Sequence, residues 1–94
     1  MEPVDGYIEV GGTTETYDVV DNVEIVIELQ KREGSSWKTI KTWSEHKSND
    51  YIVSIAKTYK VEKGYYYRIV SCHYAENEGS HENVYAYSKK LYID

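Results

Sequence analysis

Val23-Glu24-Ile25-Val26-Ile27-Glu28-Leu29-Gln30 decides the fold class. Val23, Ile25, Ile27 and Leu29 fall on one side of an extended chain, and Glu24, Val26, Glu28 and Gln30 fall on the other. That period of two belongs to a half-buried β-strand, and the β-branched residues that dominate the run favour the same conformation. Glu33-Gly34-Ser35-Ser36 reads as a turn, after which Trp37, Thr39, Lys41 and Trp43 alternate with Lys38, Ile40 and Thr42, so the two runs form a hairpin. Beyond it the spacing predicts a polar loop over 46–50, a third strand from Tyr51 to Tyr59, and a break at Glu62-Lys63-Gly64. A fourth strand follows from Tyr65 to Tyr74, then a long polar loop over 75–83, then a last strand from Val84 to Ile93. Towards the N-terminus, Tyr7 to Val10 alternates weakly and Gly11-Gly12 breaks the pattern, giving one or two strands before Asp21. No stretch has a 3.6-residue period, and the one proline, Pro3, lies outside the strong strands. Short strands at roughly ten-residue spacing indicate an all-β antiparallel sandwich or barrel.

Length and composition bound what such a sheet is for. The 94 residues suit one domain over 1–94, and the lone cysteine, Cys72, excludes an intramolecular disulfide. No apolar run reaches the ~20 residues of a membrane span. The net charge of −5 is unevenly spread: residues 1–30 hold eight acids and no Lys or Arg, whereas 31–68 hold nine basic and four acidic residues. An acidic chain without clustered positive charge is a poor ligand for nucleic acid, and no basic amphipathic helix is available for a membrane surface. The charge split suits either steering towards a polar partner or plain solubility. Met1-Glu2-Pro3 followed by acids is not a signal peptide, which leaves a cytoplasmic protein or the mature part of an exported one.

Val61-Glu62-Lys63-Gly64-Tyr65-Tyr66-Tyr67 followed by Ile69 resembles a motif of fibronectin type III and related immunoglobulin-like domains, and Ile27 to Leu29 followed by Trp37-Lys38-Thr39-Ile40 is similar to their hairpin of third and fourth strands. Ser88 also fits that pattern near the start of the last strand. The likeness covers residues 27–93, about two-thirds of the chain, and implies a sandwich of six or seven strands in which Tyr67 is the corner tyrosine, its ring in the core and its hydroxyl on an upstream backbone group. Met1 to Val20 carries no counterpart of the early strands and their core Trp. The Trp-Lys-Thr and Gly64-Tyr65-Tyr66-Tyr67-Arg68 segments are also similar to small secreted proteins of Gram-positive gut bacteria. That likeness implies a secreted or cell-surface protein and lends no function.

Catalytic constellations are scarce. Cys72 and His73 are neighbours on a strand and so point to opposite faces, which makes them a poor thiol–imidazole pair. His46, His73 and His81 sit in different elements, and one Cys builds no closed zinc site. The acids Glu15, Asp18 and Asp21, and Glu76, Glu78 and Glu82 with Asn77 and Asn83, lack the alternate spacing of a calcium loop. The reading is therefore no enzyme, no metal and no cofactor.

Aromatic residues carry the one functional signal, since there are 11 Tyr and two Trp but no Phe. Alternation puts Trp37 and Trp43 on one face of their strand, and puts Tyr66, Arg68 and Tyr74 opposite Tyr67 and Ile69 on the fourth. If those strands neighbour one another, Trp37, Trp43, Tyr66, Arg68 and Tyr74 form an exposed patch suited to protein or glycan. Cross-strand aromatic pairs also stabilise sheets without any ligand, and one Trp can equally lie in the core. The expected function is a non-catalytic recognition or adhesion module acting through this face or the 75–83 loop. The alternative is a phage-encoded decoration or inhibitory protein acting through its acidic first third.

Overall fold

A computed structural model describes residues 2–4, 6–88 and 90–94. The fold is all-β and antiparallel, and no helix occurs among the described residues. The strands are β1 (Glu2–Val4), β2 (Tyr7–Glu33), β3 (Ser36–Lys60), β4 (Tyr65–Asn77), β5 (Ser80–Tyr87) and β6 (Leu91–Ile93). Pairing runs β1-β2-β4-β5, with β3 on the other flank of β2 and β6 on the first residues of β4.

The hairpin expected around Glu33–Ser36 exists, with Gly34 at φ 64° in the first central position, where a two-residue turn needs a left-handed residue. Its arms are far longer than the alternation suggested. β2 runs through Gly11-Gly12, and β3 runs through the polar 46–50 segment, so neither is a break. What interrupts the ladder is a bulge in which Thr16–Val19 of β2 faces Tyr51 alone, between the pairs Glu15↔Ile52 and Val20↔Asp50. Asn49 turns left-handed there at φ 53°, and the Asp50 carboxylate accepts from the Tyr51 and Ile52 amides at 2.7 and 3.3 Å. Bulges of this kind bend and twist a strand. The bend folds the hairpin back on itself, so that Ile8 and Val10 from the first half of β2 and Val53 and Ile55 from the second half of β3 join Val23, Ile25, Ile27 and Leu29 in one core. Tyr67, Ile69, Val61 and Ile93 complete it.

Gly12 marks how closely the two halves approach. A Cβ placed on it would stand 3.0 Å from Ile25 Cδ1 and 3.2 Å from Ile27 Cδ1. Strand glycine here is a packing requirement, not a strand break. Because the obstructing atoms are the tips of isoleucine side chains, Gly12→Ala is expected to be tolerated with a small loss. Gly12→Val overfills the interface and should cost about 1–3 kcal/mol in chemical denaturation.

Two further expectations are corrected. The 75–83 loop is instead a hairpin, with Asn77 paired to Ser80 across Glu78 (φ 51°) and Gly79 (φ 83°). Two successive left-handed residues are what a type I′ turn requires. The segment looked like a loop because β5 is exposed throughout and therefore has no apolar alternation to read. The last strand is likewise divided into β5 and β6. Between them Ser88 takes over the ladder, its amide donating to the Ile69 carbonyl at 2.9 Å and its hydroxyl accepting from the Ile69 amide at 2.8 Å.

Candidate functional site: the outward sheet face

Opposite partners across an antiparallel ladder share a face, so the register locates each expected residue. Arg32↔Trp37, Gln30↔Arg68 and Glu24↔Tyr74 place Trp37, Arg68 and Tyr74 on the side of the sheet away from Ile25, Ile27 and Leu29. Tyr66, opposite Tyr92, joins them. Trp43 does not. A second bulge falls between the pairs Leu29↔Lys41 and Gln30↔Thr39, leaving Ile40 unpaired. One extra residue inverts the alternation beyond it. Trp43 therefore sits opposite Ile27, packs on the core beside Ile40, and meets Tyr59 edge-on at 5.8 Å between ring centroids. The shared face expected for the two tryptophans is thus corrected, and Trp43 leaves the patch.

Three residues that strand reading overlooked replace it. Tyr85 and Tyr87 of β5, each 64% exposed, stand opposite Cys72 and Val70, and Tyr92 of β6 is 48% exposed. The signal for them was present in the alternation of Tyr85 and Tyr87, but which strand they joined depended on the 78–79 turn. The outward face thus carries Trp37, Tyr66, Tyr74, Tyr85, Tyr87 and Tyr92 around Arg68.

Arg68 is the centre of this arrangement. Its guanidinium carbon lies 4.4 Å from the Trp37 ring centroid and 5.3 Å from that of Tyr87, and its Nε donates to Gln30 Oε1 at 2.7 Å. Lys90 Nζ stands 5.0 Å from the Tyr66 centroid, and Tyr66 packs on Tyr92 at 4.9 Å. Glu28, on the same face, accepts from the Thr39 hydroxyl at 2.7 Å. Among the described residues the one ion pair is Lys31–Glu62 at 3.4 Å, so neither Arg68 nor Lys90 is neutralised by a carboxylate.

The rest of β4 settles the other candidates. Cys72 and His73 do face opposite ways. Cys72 is half-buried on the outward face, opposite Tyr85, and the neighbouring thiol raises that phenol's pKa. His73 points inward and joins the two halves of the fold, with Nδ1 2.7 Å from Thr14 Oγ1 and Nε2 3.0 Å from Ser71 Oγ. Because the Thr14 hydroxyl donates to the Glu24 carbonyl at 3.1 Å, its oxygen is left to accept from His73 Nδ1–H. Tyr74 stacks on His81 at 6.0 Å, and its hydroxyl donates to Glu76 at 2.9 Å, which raises its pKa.

Tyr67 is fully buried and its hydroxyl donates to the Glu62 carbonyl at 2.8 Å. Burial pushes its pKa up. A phenol held neutral in the folded state retains its proton where the unfolded chain has released it, so its contribution is complete below the unfolded value near 10 and is lost as pH rises through the folded value. Tyr74 and Tyr85 add in the same direction. Denaturation midpoints should therefore fall as pH is raised past about 10, and the fall should be shallower for Tyr67→Phe.

At the pole formed by the β2 bulge, Asp21 accepts from the Glu78 amide at 2.9 Å, tying the bulge to the β4–β5 turn. Between them lies an open cavity of about 460 Å³ bordered by Tyr17, Asp18, Glu76, Glu78, His81 and Glu82. Among the described residues no group of three His, Cys, Asp or Glu side chains is placed to hold a metal ion, and none of them forms a helix long and apolar enough to cross a membrane. The acids of the first third whose side chains are among the described residues are spread along β2: Glu9 and Glu15 lie on its first half, Asp18 in its bulge, and Glu24 and Glu28 on the outward face. No family model, curated protein or solved structure matches the chain.

Proposed function

We propose that this chain is an immunoglobulin-like β-sandwich of the fibronectin type III kind, acting outside the cell as a non-catalytic recognition or adhesion module. One layer would be β1, the first half of β2 and the second half of β3. The other would be the first half of β3, the second half of β2, β4 and the β5–β6 pair. The common core of both halves of the hairpin supports this division, and the Tyr67–Glu62 bond supports the corner-tyrosine reading.

The observation that carries the functional reading is the outward face itself. Trp37, Tyr66, Tyr74, Tyr85, Tyr87 and Tyr92 share it with Arg68, and several of these rings remain well exposed although packing alone gives no reason to leave them so. Tyr, Trp and Arg supply large contact area with few rotors and concentrate at interface centres. The dispersal of the acids favours this face over the N-terminal third as the point of contact. Arrays of glycans and of cell-surface proteins, probed with the natural chain and with Trp37→Ala/Tyr87→Ala, test the reading. At least one ligand should be bound by the natural chain and lost by the double variant, whereas an empty array or equal binding by both proteins would refute it.

A further inference from the structure

We propose that the partner of this face is an acidic polypeptide surface, engaged through Arg68 with Lys90 beside it. The inference rests on the recognition reading above and names the chemistry of its ligand. It begins from which ring faces are free. Arg68 covers Trp37 at 4.4 Å and approaches Tyr87 at 5.3 Å, while Lys90 lies over Tyr66 at 5.0 Å. Three of the six rings, Trp37, Tyr66 and Tyr87, thus already carry cations, and the end of the face around Arg68 and Lys90 offers positive charge backed by aromatic rings, with Glu28 and Glu24 beyond it along β2.

Among the described residues neither cation is ion-paired with a carboxylate. Arg68 uses Nε for the Gln30 amide oxygen, and the only ion pair among the described residues, Lys31–Glu62, lies elsewhere. Arg32, opposite Trp37, donates its Nε to the Gly34 carbonyl and likewise meets no carboxylate. A guanidinium gripped by two rings and an amide has already lost much of its rotamer freedom, so a fork–fork bond from its remaining N–H groups to a carboxylate requires little further ordering.

None of the cavities of about 510, 460 and 270 Å³ found among the described residues is lined by Trp37, Tyr66, Arg68, Tyr85 or Tyr87. Small ligands are normally taken up in concave sites, whereas an exposed sheet face with an Arg–aromatic centre suits a protein partner of opposite charge.

Calorimetric titration of the full chain with an oligo-glutamate peptide, with oligo-glutamine, hyaluronan and a cello-oligosaccharide alongside, tests this directly. Oligo-glutamate should bind and oligo-glutamine should not. Affinity should fall about tenfold or more in Arg68→Gln, and should fall again between about 50 and 500 mM salt. Arg68→Lys should recover only part of it, since an ammonium cannot form the fork. If Arg68→Gln is poorly folded by circular dichroism, Lys90→Gln must still weaken binding about threefold. Tighter binding of hyaluronan, absence of binding by any probe, or indifference to both Arg68→Gln and Lys90→Gln overturns the acidic partner. Cello-oligosaccharide binding that needs Trp37 and Tyr87 but ignores salt and Arg68→Gln overturns it while leaving the recognition reading intact. Binding indifferent to Trp37→Ala/Tyr87→Ala as well removes both.

Discussion

Tyr67→Ala is expected to lose about 3–5 kcal/mol, a large share of the stability of a domain whose total is of order 5–15 kcal/mol. Tyr67 is fully buried among residues drawn from β2, β3, β4 and β6, so truncation leaves a cavity that no single neighbour can fill. Tyr67→Phe separates packing from hydrogen bonding. It keeps the ring and removes the donor to the Glu62 carbonyl at 2.8 Å, a loss of about 1 kcal/mol because Glu62 lies at an exposed turn where water can replace the phenol. Urea unfolding of the three proteins measures both steps. Equal losses for Phe and Ala would mean that the hydroxyl, and not the ring, holds this corner.

Trp43→Ala and Trp37→Ala should differ sharply although the two residues are six apart on one strand. Trp43 packs on the core and meets Tyr59 edge-on at 5.8 Å. Being only half-buried, it should cost about 2–3 kcal/mol on truncation, below the range for full burial. Trp37 contributes one cation–π contact on the open face, worth about 0.5–1 kcal/mol. Thermal melts should therefore fall clearly for the first and little for the second. The binding assays should reverse that order.

The contrast shows where sequence reading stops. Val23, Ile25, Ile27 and Leu29 are buried as their alternation says, and Tyr67 lies in the core with its hydroxyl on an upstream carbonyl as the motif implies. Both are local statements about a strand with no interruption. Face assignment across β3 failed because the bulge at Ile40 adds one residue without a distinguishing residue type, and period-two reading has no means of detecting it. The continuity of β2 through Gly11-Gly12 was hidden for a different reason: those glycines mimic a turn, but Gly12 is small because Ile25 and Ile27 arrive from the other half of the same strand. Tyr85, Tyr87 and Tyr92 were legible as an alternating run and illegible as a site, since their place beside Arg68 depends on the Glu78-Gly79 turn and on the break at Ser88. In each case the missing information was long-range, either a register or a contact between distant segments.

Everything assigned to the outward face depends on Trp37 lying beneath Arg68 there while Trp43 closes the core. Nuclear Overhauser contacts from the two indole rings measure that directly in solution. Trp37 should show contacts to the Arg68 side chain, and Trp43 to the Tyr59 ring and Ile40. Contacts from Trp43 to Arg68, with Trp37 lacking any, would contradict the bulge, the division of the two tryptophans, and the face built on it.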